Sequence, residues 1–288
     1  MIIGEVPDPQ NPLSISAACS CLGVSRSGYY DWLRHPVSDG QPDPHEMKVK
    51  SEIQKIAVEF PRYGYRRITA ELKRRNYHVN HKHVLRLMRE DNLLCVRHKF
   101  SPVTTNSNHR HRIYPNLARD MELTGLNQLW VADITYIQLL TEFIYLAVII
   151  DVFSRKCIGW ELDRNVDTTL TLNALSRALE RRWAEDVEGL IHHSDQGVQY
   201  ASNEYIDCLN EHCITVSMSR AGNPYDNAFA ESFFKTLKYE EVYLSEYRTF
   251  EESHDNIEQV IERVYNEKRL HSSIGYLPPN EFEEGLAI

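Results

Sequence analysis

The amino-acid sequence predicts an α/β protein, a mixed five-stranded sheet flanked by helices and preceded by small helical modules of the helix-turn-helix kind. Three observations carry this. Near residue 120 the apolar pattern changes from helical to strand-like spacing. Three β-rich runs then follow directly on one another, and beyond them helices and strands alternate. The corresponding division is 1–44 (helix-turn-helix-like), 45–96 (basic helical bundle), 97–121 (basic linker) and 122–288 (mixed-sheet core with a helical tail).

Residues 13–33, LSISAACSCLGVSRSGYYDWL, read as a helix, a tight turn at Gly23 and a second helix opening at Ser25. Small residues before the glycine let two helices approach closely. After the linker HPVSDGQPDPH come helical segments at Glu46–Phe60, Tyr65–Arg75 and Asn80–Asn92, with Pro61 and Gly64 breaking the first from the second. Residues 97–119 are rich in Arg, His, Asn and Pro without an apolar period, which predicts an extended basic linker. LWVADITYIQLL and FIYLAVIIDVFS, joined at Thr141–Glu142, and then KCIGWEL give an antiparallel meander. Thr168–Trp183 is amphipathic at helical spacing, LIHHSD is a short buried strand, Asn203–His212 a helix and ITVSMS a fifth strand.

Composition excludes several classes. The longest apolar run, Ile144 to Ile150, is far below the roughly 18 residues of a membrane span, and MIIGEVPDPQ lacks the blocks of a signal peptide, so a cytoplasmic protein is expected. Six cysteines without a C-x-x-C pair suggest neither a disulfide framework nor a zinc ribbon. His78, His81 and His83 have metal-like spacing, but no cysteine pair completes a site, and a solvated basic helix face is the simpler reading. The net charge of −9 argues against a nucleic-acid partner until it is resolved along the chain. Residues 45–119 hold 17 Lys+Arg against 6 Asp+Glu, whereas residues 120–288 hold 13 against 30. A basic grip beside an acidic remainder fits DNA binding, with Arg66, Arg67, Arg74, Lys82 and Arg86 on the short helices as candidate contacts.

Three acids stand out. Asp133 lies within an apolar strand on the face of Val131, Thr135 and Ile137, a costly position for an unpaired acid. Asp195 ends the fourth strand, where ligands collect in α/β sheets. Glu231 lies on the helix of NPYDNAFAESFFKTLK; at about 100° per residue it projects with Asn227 and Lys238, opposite Phe229, Phe233 and Leu237. Between the acids lie 61 and 35 residues. Converging carboxylates need a cation, and oxygen-only ligands favour Mg²⁺ or Mn²⁺. Two such ions suit in-line displacement at phosphorus. Asp151, which also follows an apolar strand, competes for the first place. Asn227 can cap its helix or stand behind the acids, as Asp226 can cap it.

WVADITYI, HHSDQGVQY and DNAFAESFFKTLK, with a lysine seven positions after the glutamate, resemble the three catalytic blocks of the DDE transposases of bacterial insertion sequences, IS-three family, OrfB type. GVSRSGYYDW, YGYRRITAEL and YNEKRLHSSIGYLPP are similar to that family too, so the likeness runs from about Leu13 to Glu283. It implies an RNase H-like core shared with retroviral integrases, Asp133, Asp195 and Glu231 as catalytic metal ligands, and Lys238 contacting DNA near the cleaved phosphate. It also implies metal-dependent cleavage and strand transfer on double-stranded DNA, both element ends and target. At least a homodimer, held at the bacterial nucleoid, follows for joining two ends. In that family a frameshift from a preceding frame usually adds an upstream helix-turn-helix. The competing expectation is a non-catalytic DNA-binding regulator or inactive remnant, and a hybrid-cleaving nuclease is a third. For Tyr265, Asn266, Arg269 and His271, DNA contact and closure of the core are equal expectations.

Overall fold

A computed structural model describes residues 15–34, 44–91, 93, 111–140, 142–182, 187, 189–220 and 224–286. Most of the linker expected after residue 34, and most of the one expected from residue 97, lie outside these residues; Pro44 and His45, expected in the first linker, begin a helix instead. The chain divides into two compact units, 1–52 and 53–288.

In the first unit, α1 (Ile15–Cys21) and α2 (Arg26–Arg34) form the expected helical hairpin. Gly23 takes a left-handed φ of 64°, and the Val24 amide reaches back to the Cys19 carbonyl at 3.0 Å, which closes the end of α1. The Ser25 hydroxyl then accepts the Gly28 amide at 3.0 Å and opens α2.

The second unit takes in the end of α3 (Pro44–Glu59), α4 (Tyr65–Arg74) and α5 (His81–Glu90). Ile53, Ile56, Ile68, Leu72, Val84, Leu87 and Met88 are all buried, so each helix hides one face. Asn80 caps α5 by accepting the Lys82 amide at 2.8 Å. The sheet follows: β1 (Leu129–Gln138), β2 (Phe143–Asp151) and β3 (Cys157–Asp163) form the antiparallel meander. After α6 (Thr168–Arg182), β4 (Ile191–Ser194) adds parallel to β1; after α7 (Val198–Ala201) and α8 (Asn203–Glu211), β5 (Thr215–Met218) adds parallel to β4. The order is β3-β2-β1-β4-β5, the mixed five-stranded sheet that the sequence predicts.

Strand alternation sorts the core into two layers. Trp130, Ala132 and Ile134 of β1 join Leu170, Ala174 and Tyr205 on the α6 and α8 side. Leu129, Val131 and Ile137 join Ala230, Phe233 and Phe234 of α9 (Ala228–Leu237) on the other. Gly159 lets α6 lie against β3, because a Cβ there would stand 2.2 Å from the Ala174 carbonyl oxygen. Beyond α9 the chain makes a π-helical turn at Lys238–Val242, then α10 (Phe250–Gln259), a second π segment at Val260–Asn266 and α11 (Pro279–Leu286).

One side-chain expectation needs correction. Phe229 is not on the core side of α9; it is 38% exposed, with the Arg155 guanidinium 4.3 Å from its ring centre. The buried arc of α9 runs through Ala230, Phe233, Phe234 and Leu237, so Phe229 falls at its edge. No described helix is long and apolar enough to cross a membrane.

Candidate active site

β4 accompanies β1 only along Leu129–Val131, so the β1 edge from Ala132 onward has no strand beside it on that side. The candidate site forms at this gap. Alternation puts Asp133 on the α9 face of β1, half-buried, where one carboxyl oxygen accepts the Ile134 amide at 2.8 Å. Asp195 follows directly on β4. Its carboxyl accepts the Gly197 amide at 2.9 Å, in a turn so tight that a Cβ on Gly197 would touch the same oxygen at 2.9 Å. α9 crosses the gap and brings Glu231 in its first turn and Lys238 just past its end.

Electrostatics shows which of these groups meet. Asp133 is held well above the ordinary carboxylate range, first by burial, then by the charge of Asp195 and, more weakly, of Glu231; Lys238 opposes the rise. Glu231, exposed on its helix, is also raised by partial burial, with Lys235 acting against it. Burial lowers Lys238, and Asp133 restores part of the loss. The Lys238 ammonium lies 4.6 Å from the centre of the Tyr136 ring, a residue the sequence did not single out. Its only sequence signal is its place three residues after Asp133 on the same strand.

The four groups are neighbours but not clenched. Among the described residues, the metal-ligating side chains whose donor atoms come within 4.8 Å of one another as a group of three are His254, Asp255 and Glu258, an exposed turn of α10, and not the three acids. Like charges offset by one lysine repel, and an exposed glutamate has the rotamer freedom to move toward a cation. The all-oxygen donor set of Asp133, Asp195 and Glu231 fits a hard divalent ion.

Asn227 fastens the helix that carries Glu231. It is buried, and its amide nitrogen donates at 3.2 Å to the carbonyl of Ala132, the residue just past the stretch shared with β4. Among the described residues its buried Oδ1 has no hydrogen-bond partner, one helical turn before Glu231. Asp226 does not cap the helix in this way; it pairs with Arg220, accepting Nε at 3.0 Å, and the hydrogen bonds from the Arg220 side chain and amide hold its carboxyl far below the usual carboxylate range. Asp151 is fully buried, accepting the amides of Asn127, Phe153 and Ser154 at 2.8–3.1 Å. It closes the turn after β2.

The basic candidates divide. Arg66 and Lys82 are exposed, Arg66 donating to the neighbouring Tyr65 hydroxyl at 3.2 Å. Arg86 pairs along its helix with Glu90 at 2.6 Å. Arg67 donates to the Leu270 carbonyl at 3.1 Å, and Arg74 grips Glu281 through both nitrogens, so both guanidinium groups fasten α4 to the C-terminal segment. That segment closes the core. Asn266 exchanges two bonds with the Cys157 backbone, Arg269 makes a buried two-point pair with Glu240, and Tyr265 stacks edge-on between Phe233 and His271.

Known proteins agree with this architecture. Residues 124–224 and 212–279 match the family described as Integrase core domain, and residues 44–100 match that described as HTH-like domain. The insertion element IS600 uncharacterized 31 kDa protein of Shigella sonnei is 37% identical over 92% of this chain and 97% of its own length. Transposase InsF for insertion sequence IS3A of Escherichia coli (strain K12) is 36% identical over 95% of both chains. The transposase for insertion sequence element IS904 of Lactococcus lactis is 37% identical over 84% of this chain and 97% of that protein. Matched at this identity over nearly its whole length, the chain belongs to the IS3-family insertion-sequence transposases, built on an integrase-type core.

Proposed function

We propose that this chain cuts DNA at the ends of an insertion sequence and joins the freed ends to target DNA, with Asp133, Asp195 and Glu231 as ligands of two Mg²⁺ or Mn²⁺ ions. The observation that carries the reading is the position of Asp133. It is an acid set into a buried strand that feels both other acids, with the Lys238 charge only partly offsetting them. Asp133, Asp195 and Glu231 would together hold the ions, which would activate the attacking oxygen and stabilise the departing one.

The reaction balances without an oxidant or a covalent enzyme intermediate. In the first step water attacks phosphorus, the bond to the 3′ oxygen breaks, and that oxygen leaves as a hydroxyl while a proton passes to solvent. In the second the freed 3′-hydroxyl attacks a target phosphodiester, and the target's own 3′ oxygen leaves. Held by strand and turn, Asp133 and Asp195 would fix the ions rather than touch the anionic phosphate, and Glu231 would supply the mobile third ligand. Lys238, steadied by Tyr136, is placed to hold a non-bridging phosphate oxygen. Asn227 sets the height of α9 over β1. Arg66 and Lys82 offer exposed positive charge to the duplex. Joining two ends calls for at least two copies of the chain, working where the chromosome is.

Strand transfer with labelled 3′ ends, on duplexes carrying the element's terminal repeats, tests the reading. Mg²⁺-dependent joining that disappears in Asp195→Asn and Glu231→Gln, with DNA binding kept, is expected. Binding without metal-dependent cutting in the unaltered protein would instead identify a non-catalytic regulator, and cutting without joining a nuclease.

A further inference from the structure

A cavity of about 570 Å³ opens where α4, the start of α5 and the C-terminal segment meet, away from the three acids in sequence and lined by none. Arg66 and Lys73 enter it from α4, and His78 and His81 from the turn into α5. All four are exposed side chains that can carry positive charge, and no Asp or Glu is among the lining residues. Tyr276 forms the facing wall.

Tyr276 is held there at a backbone cost. Gly275 has a φ of 74° and Tyr276 one of 60°, two left-handed residues in succession. Glycine adopts that region freely, but a bulky side chain does so only under constraint, and such strain collects at binding sites. The constraint is visible. The Tyr276 amide donates to the His271 carbonyl at 2.9 Å, and the His271 amide to the Leu277 carbonyl at 3.1 Å. The same segment is tied to the helical module by Tyr63, whose hydroxyl accepts the Leu270 amide at 2.7 Å, and by Arg67. A rigid wall, an unopposed set of cations and a phenol are a place for a phosphodiester.

We propose that this cleft seats the sugar-phosphate backbone of duplex DNA, with Arg66 and Lys73 on the phosphates and Tyr276 as the fixed wall against the sugar. The proposal rests on DNA being the substrate, as argued above. It makes the C-terminal segment part of the DNA grip, although Tyr276 lies 210 positions from Arg66 in the sequence.

A salt titration of binding tests it, using the full chain and a fluorophore-labelled duplex of mixed sequence, since backbone contacts do not need the element's own ends. The double variant Arg66→Ala/Lys73→Ala is expected to bind about tenfold more weakly or worse, with the slope of log affinity against log salt reduced by about one to two. Arg66→Lys/Lys73→Arg is expected to restore both, and Tyr276→Gly, which relieves the left-handed strain, to weaken binding while circular dichroism stays unchanged. An alanine pair with unaltered affinity and slope overturns the cleft, and if Asp195→Asn has then lost strand cutting, the transposase reading survives without it. Conversely, an Asp195→Asn variant that still cuts overturns that reading, while a lowered slope in the alanine pair upholds the cleft.

Discussion

Asp133 and Asp151 lie in adjacent strands of one sheet and serve opposite ends. Three backbone amides satisfy Asp151, and Arg182 stands 3.9 Å away, whereas Asp133 takes only the amide of the next residue and shares its surroundings with two more acids. A satisfied buried acid is structural, and one left among like charges calls for a cation. Asp151→Ala is therefore expected to cost about 2–4 kcal/mol in urea unfolding, by stranding buried amides. Asp133→Asn is expected to fold as well as the unaltered protein while losing roughly a thousandfold or more in strand cutting. From residue pattern alone the two acids compete, because hydrogen-bond satisfaction depends on the turn at Asn127 and the one after β2, which no periodicity reveals. Asn227 was legible only as a helix cap or a supporting residue, and the bond to Ala132 settles where it reaches. Asn227→Ala should slow cutting by about 10–100-fold with unchanged DNA affinity, the size seen when groups behind metal ligands are removed; loss of binding instead would mean that α9 is needed for the fold rather than for the placing of Glu231.

At the scale of elements, strands and helices were legible because their apolar residues repeat at two or at three and four positions. The close approach of α6 to β3 was not, since it depends on one residue without a side chain. Gly159→Ala should destabilise the protein by about 2–3 kcal/mol, seen as a lower unfolding midpoint, because the added methyl meets backbone and cannot be accommodated by a rotamer. The C-terminal segment was harder still to read, for its buried residues are polar. Arg269 is 4% exposed and pairs with Glu240 through two nitrogens at 2.8 Å, a contact between residues 29 apart that composition does not announce. Arg269→Ala, leaving Glu240 partly buried and alone, is expected to cost about 3–5 kcal/mol in the same measurement. The π-helical turn at Lys238–Val242 is equally silent in sequence, yet it begins at the lysine that faces the acids.

The whole molecule combines a basic module and an acidic core, and its pH response follows from what the core buries. Burial lowers His192 to about 3 and His271 to about 2, the latter helped by Arg269, Arg67 and Arg155. Both stay neutral in the fold, whereas in the unfolded chain they take up protons below about pH 6.5. Their share of the stability should therefore fall as the pH drops through that value, by about 1.4 kcal/mol per pH unit for each histidine, against the opposite contribution of the raised Asp133 carboxyl. His192→Gln and His271→Gln should each remove that share from the pH dependence of the urea midpoint between about pH 7 and about pH 5; variants with the same pH dependence as the unaltered protein would contradict neutral burial of these rings. If three acids distant in sequence jointly hold divalent ions, calorimetric titration of Mn²⁺ into the protein and into Asp133→Asn, Asp195→Asn and Glu231→Gln will show it. The unaltered protein should bind the ion and each variant should bind it far more weakly; variants that bind Mn²⁺ as the unaltered protein does would place the ion elsewhere and end the claim.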